Sequence, residues 1–161
     1  MKIVKRFIEI GGKIQLYFGT FCLIAIIVSV SAGVLFRKVF NSPLSWIEEI
    51  CTFLFIWLAF AGASVAAMNK KHVSADFLTT KLSEKKNKIL AIIQRILIIL
   101  LLGVIFIGSC MLQSSMSGHS STNLDIPKNF YYLPILVSSF YMIVVYIVEL
   151  IELTVNPNRL S

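Results

Sequence analysis

Charge is what this chain lacks first. Only 14% of its 161 residues are charged, against 57% hydrophobic, and its mean hydropathy is +0.84. A soluble domain keeps a polar face on every outer helix. The stretches 14–36, 50–68, 96–111 and 129–148 contain no Asp, Glu, Lys or Arg at all. Histidine is nearly absent too: His72 and His119 both fall outside these runs, so no axial pair exists for an intramembrane haem. The three cysteines, Cys22, Cys51 and Cys110, lie far apart with no C-x-x-C, which reads as inert buried thiols and not a redox pair. No acidic residue sits near the middle of a run, where a self-sufficient proton-coupled carrier is expected to keep one. The runs lack the paired Gly/Pro interruptions of broken transporter helices. Metal-ligand clusters, a phosphate loop and a nucleophile–base pair are likewise missing, so no enzyme, cofactor or metal site is expected.

What is present is length. Three runs have about 19–23 residues, and the third reaches that length when extended back over Arg95 to Ile89. At about 1.5 Å per residue each helix crosses a hydrocarbon core of about 30 Å. The expected fold is all-α, a single membrane domain of four transmembrane helices over about 14–36, 46–68, 89–111 and 129–151. The first run exceeds a secretory signal core of 7–15 residues, so it reads as a span despite Val30-Ser31-Ala32, which loosely imitates a cleavage site.

The net charge of +7 is placed for orientation and not for nucleic acid. Lys2, Lys5, Arg6 and Lys13 precede the first span, Lys70, Lys71, Lys81, Lys85, Lys86 and Lys88 fill the second loop, and Arg159 lies in the tail. Only Arg37, Lys38 and Lys128 occupy the other two loops. The positive-inside rule then puts both termini and the middle loop in the cytoplasm. Arg95 lies one or two turns into the third helix and can snorkel its guanidinium to the inner headgroups.

Residues 2–12 read as a basic amphipathic segment on the membrane surface, or a frayed basic tail, broken from the first span by Gly11-Gly12. After the Asn41-Ser42-Pro43 turn, Ser45 and Glu48 have capping-box spacing, and Glu48 and Glu49 complement the helix dipole. Small residues at Ala59, Ala63 and Ala67, with Gly62 and Ala66 beside them, form a packing stripe, within the chain or against a partner. Trp57 sits mid-span, which points to protein around its N–H and not lipid. His72 and Asp76, four apart, can share a hydrogen bond on one helical face.

Arg37-x-x-Phe40-Asn41-x-Pro43-Leu44-x-Trp46-x-Glu48-Glu49, Phe55-x-Trp57-Leu58, Gly62-Ala63, His72-Val73-x-x-Asp76 and Leu124-x-Ile126-Pro127 stand in this order along the chain. Together they resemble the small membrane subunit of TRAP transporters, the DctQ-type permease. Thr52 stands where the family often has arginine, and Ala75 where a β-branched residue usually precedes the aspartate. The first departure puts charge pairing at Glu48 and Glu49 in doubt, unless Arg37 or Lys38 supplies it.

The resemblance implies a tripartite, Na⁺-coupled system of the bacterial inner membrane for organic-acid uptake. A periplasmic substrate-binding protein delivers the acid, and a large DctM-type membrane subunit moves it and binds the sodium. The small subunit braces the large one and binds neither. On that reading Arg37, Trp46, Glu48, Glu49, Trp57, Ala59, Gly62, Ala63, His72, Asp76 and Pro127 are candidate interface residues, with lipids as the remaining neighbours. Two alternatives stay open: a dimeric carrier or exporter with Glu48 or Glu49 as proton site, and a membrane redox subunit.

Overall fold

The computed structural model describes residues 2–41, 44–69 and 84–155, and these form four α-helices. They are α1 (Lys2–Val39), α2 (Ser45–Met68), α3 (Glu84–Ser115) and α4 (Asn129–Val155). All four are long and apolar enough to cross a membrane. The packing order differs from the chain order: α1 lies on α2, α2 on α4 and α4 on α3, while α1 meets α4 over a short stretch only. The helix in the middle is therefore α4, which buries 44% of its most apolar stretch; α1 buries 11% and α3 only 6%.

α1 runs unbroken through Gly11 and Gly12, contrary to the break expected there. A Cβ on Gly12 would overlap Met68 Sδ and lie 3.0 Å from the Tyr141 hydroxyl, and one on Gly11 would lie 2.8 Å from Tyr141 Cε2. The glycines are contact points for α2 and α4, where any side chain would have to displace Met68 or Tyr141. Further along, Gly19 faces Ala61 and Gly33 faces Ile47. Each step of seven or fourteen along α1 is matched by an equal step back along α2, so the pair holds one antiparallel register.

That register rests on a pattern in α1. Ile8, Gly12, Gln15, Gly19, Cys22, Ile26, Ser29 and Gly33, alternately four and three apart, are all buried or half-buried. The opposite face, Ile3, Phe7, Ile10, Ile14, Tyr17 and Phe21, is exposed. A repeat of 3.5 keeps one seam against a neighbour along a left-handed pair. Small residues fill the seam because hydrophobic drive is absent between helices in lipid, and close backbone approach replaces it.

The second core joins α2, α3 and α4 around Ala67, Leu102, Tyr141, Met142, Val145 and Tyr146. Pro134 is fully buried inside the second turn of α4, where its ring leaves Phe130 O without the N–H it would otherwise accept from in the helix. α1 ends where Asn41 takes a left-handed conformation (φ 51°), which asparagine tolerates better than most residues.

Candidate partner interface

One end of the molecule carries a hairpin between α3 and α4. Gly118 (φ 88°) and Asp125 (φ 51°) supply its left-handed positions. Ser120 and Pro127 form an isolated antiparallel bridge, the Ser121 amide donates to Ile126 O at 2.9 Å, and the Lys128 amide donates to His119 O at 2.9 Å. Ser120 Oγ donates to Asp125 Oδ1 at 3.3 Å and the Ile126 amide to Ser121 Oγ at 3.2 Å.

Glu49 clasps this hairpin onto α2. The Asn123 amide donates to Glu49 Oε2 at 3.1 Å, and the Ser121 side chain and the backbone of Thr122 and Leu124 face the same carboxylate. The capping box expected at Ser45 does not form: Leu44 is the N-cap in extended conformation, with no side-chain cap bond. Ser45 is already inside the helix, one position too late to cap it. Glu48 is exposed, and its carbonyl accepts from Thr52 Oγ1 at 2.8 Å. Glu48, Glu49, Thr52, Asn123, Lys128 and Tyr131 are among the residues lining a groove of about 440 Å³.

Arg37, in the last turn of α1, and Trp46, 41% exposed, stay outside that groove. Pro127 is exposed at the hairpin bridge. The residues the sequence did not single out are Ser121, Asn123, Lys128 and Tyr131. Nothing local showed that the segment around Asn123 folds back over Glu49.

Trp57 sits between helices, edge-on to Phe18 of α1 (5.2 Å between centroids) and to Phe53 (6.3 Å), which in turn meets Tyr131 of α4 at 5.0 Å. Three helices thus share one aromatic row near the hairpin end. Its indole N–H has no hydrogen-bond partner among the described residues. The small-residue stripe expected on α2 divides: Ala67 is buried and Ala63 packs on the core, but Ala59 and Gly62 face outward, and nothing lies within 4 Å of a Cβ built on Gly62. The α1 contact uses Ala61 instead, against Gly19. His72 and Asp76 lie outside the described residues.

At the opposite end α1 and α4 are joined. Tyr141 donates its hydroxyl to Ile8 O at 2.7 Å, and Lys5 Nζ pairs with Glu152 Oε1 at 2.5 Å. Arg95 turns to partners within the protein. Its Nε faces Glu149 Oε2 at 3.4 Å, an electrostatic pairing longer than a hydrogen bond, and an Nη1–H donates to Gln94 Oε1 at 3.2 Å. Both charged side chains are largely buried, 19% and 9% exposed. A charge on an apolar helix settles on an opposite charge when packing brings one within reach.

These features are contacts between helices, with Glu49 and Arg95 each committed to an internal partner. The family model for the DctQ component of tripartite ATP-independent periplasmic transporters matches residues 26–156, from the middle of α1 to the end of α4. The chain belongs to the DctQ family. DctQ components are parts of transporters, and this one is a multi-pass membrane protein and not an enzyme.

Relatives of this DctQ component agree. It is 40% identical over 77 residues to the sialic acid TRAP transporter permease protein SiaT of Haemophilus influenzae, covering 48% of this chain and 12% of that protein. It is 30% identical over 71 residues to the sialic acid TRAP transporter small permease protein SiaQ of Vibrio cholerae, covering 44% of this chain and 41% of SiaQ. With a candidate TRAP transporter small permease protein of Haemophilus influenzae it shares 26% identity over 148 residues, 91% of this chain and 87% of that one. The matched stretches thus span less than half the length of SiaT and of SiaQ.

Proposed function

We propose that this DctQ component is the small scaffold subunit of a Na⁺-coupled, binding-protein-dependent uptake system for an organic acid in the bacterial inner membrane. It holds a large DctM-type subunit in the bilayer, receives no substrate or sodium itself, and keeps its termini in the cytoplasm. The observation that carries this reading is the exposure of whole apolar helix faces on α1 and α3 while Glu49 and the Arg95–Glu149 pair are committed to contacts within the chain. A protein that moved a solute alone would keep free polar groups along a path between its helices. The stretch of SiaT that matches is a small part of a much longer permease chain, which supports a life joined to a larger membrane unit. Sialic acid, named for two relatives, is one organic acid to test first.

The test is co-purification with the large subunit expected to be encoded beside this chain, then reconstitution with the binding protein under a Na⁺ gradient. A stable complex whose uptake is lost when this chain is omitted is the expected result. Proton or solute movement by this chain alone, with no complex, overturns it and makes Glu48 and Glu49 transport residues.

A further inference from the structure

The groove beside Glu49 is polar at one end and apolar at the other. Ser45, the first residue of α2, lines one end, and Ile56 lines the other, about 16 Å further along the helix. α2 has 24 residues and measures about 36 Å. A bilayer is about 30 Å thick across its hydrocarbon and about 40–45 Å with its headgroups. The ends of α2 therefore stand among headgroups, and the groove runs from that layer into the acyl chains. Tyr131 and Tyr132, on its α4 wall, lie where tyrosine concentrates in membrane proteins.

The polar end offers both signs of charge. Glu48 stands on the α2 wall and Lys128 on the hairpin wall, and among the described residues neither side chain has a hydrogen-bond or ion-pair partner. Lys128 directly precedes α4, where a cation opposes the helix dipole and an added anion would offset both. The hollow is also narrow. It holds about 440 Å³, whereas a helix of about 10 Å diameter fills about 1,250 Å³ over the same length. A partner helix can lie across this groove but cannot enter it.

We infer that the groove binds one phospholipid with an ethanolamine headgroup, its ammonium on Glu48, its phosphate on Lys128 and an acyl chain toward Ile56. A zwitterion answers both unpaired charges at once. An anionic lipid would set its phosphate beside Glu48 with no cation between them, and a water-soluble zwitterion would leave the apolar end unfilled. A primary ammonium also donates charge-assisted hydrogen bonds to a carboxylate, which a choline group cannot. The inference needs only a membrane protein and stands apart from the scaffold reading.

The experiment is native mass spectrometry of the delipidated full chain, titrated with ethanolamine, choline and glycerol phospholipids of identical acyl chains. One ethanolamine lipid should bind about tenfold more tightly than either of the others. Glu48→Gln should reduce it to the level of the choline lipid, and Lys128→Gln should weaken both several-fold. An ethanolamine lipid with a photoreactive acyl chain should cross-link to the unsubstituted chain near Ile56 and Tyr132. Three lipids bound alike, cross-links confined to other helices, or a variant that keeps the parent affinity each overturn the site. So does loss of the bound lipid when the large subunit joins, which would give the groove to a side chain of that partner.

Discussion

Three glycines offer a sharp test of the α1–α2 register, because alanine at each should do something different. In a helix, Gly→Ala gains about 1 kcal/mol of intrinsic propensity wherever the methyl fits. At Gly62 it points into open space, so the gain stands alone. At Gly19 the new methyl lies 3.5 Å from Ala61 Cβ and 3.7 Å from Leu58 Cδ1, ordinary contact that adds packing. At Gly12 it collides with the Met68 thioether and crowds the Tyr141 hydroxyl. Moving them sacrifices part of the Tyr141–Ile8 bond, about 1 kcal/mol, and overpacks the seam by about 1–3 kcal/mol. Set against the propensity gain, Gly12→Ala should destabilise the pair by about 1–3 kcal/mol. Cys22, fully buried in the same seam, reports the opening. With Cys51 and Cys110 replaced by alanine, a thiol reagent should label Cys22 in Gly12→Ala roughly five- to a hundredfold faster than in the parent, at 1.4 kcal/mol per tenfold. Gly19→Ala and Gly62→Ala should label no faster than the parent. If Gly12→Ala labels like Gly62→Ala, the close approach of α1 to α2 and α4 is wrong.

Two further outcomes follow from the charged contacts. Glu49→Ala should release the hairpin, with hydrogen exchange at the Asn123 amide rising roughly tenfold while exchange in the α4 core stays unchanged; Glu49→Gln, which keeps an acceptor oxygen, should do less. Glu149→Ala should strand Arg95 among apolar helices and destabilise the protein by about 3 kcal/mol, whereas Arg95→Leu with Glu149→Leu should recover much of that loss in thermal unfolding. A double variant as unstable as the two single losses added together would show that the side chains are not coupled.

Class and span number were legible in the sequence because they depend on local composition. Apolar runs long enough to cross a bilayer must be buried in lipid or protein wherever they pack, and four of them, the third extended over Arg95, make this a membrane protein. The ordered motifs from Arg37 to Pro127 were legible for the same local reason, and they led to the family that the match over residues 26–156 then established. The helix order α1–α2–α4–α3 was not legible, since every span is apolar on all sides and hydropathy cannot rank its faces. Gly11-Gly12 looked like a break because glycine lowers helix propensity; tertiary contact with Tyr141, over 120 residues away, overrode that preference. Glu48 and Glu49 look alike in sequence, and only the returning hairpin separated them, by giving Glu49 an amide to accept from. Arg95 could have reached headgroups or a carboxylate, and α4 supplied the carboxylate. Composition determined what this protein is made to live in; the close approach of helices distant in sequence decided which of its residues remain free to meet a partner.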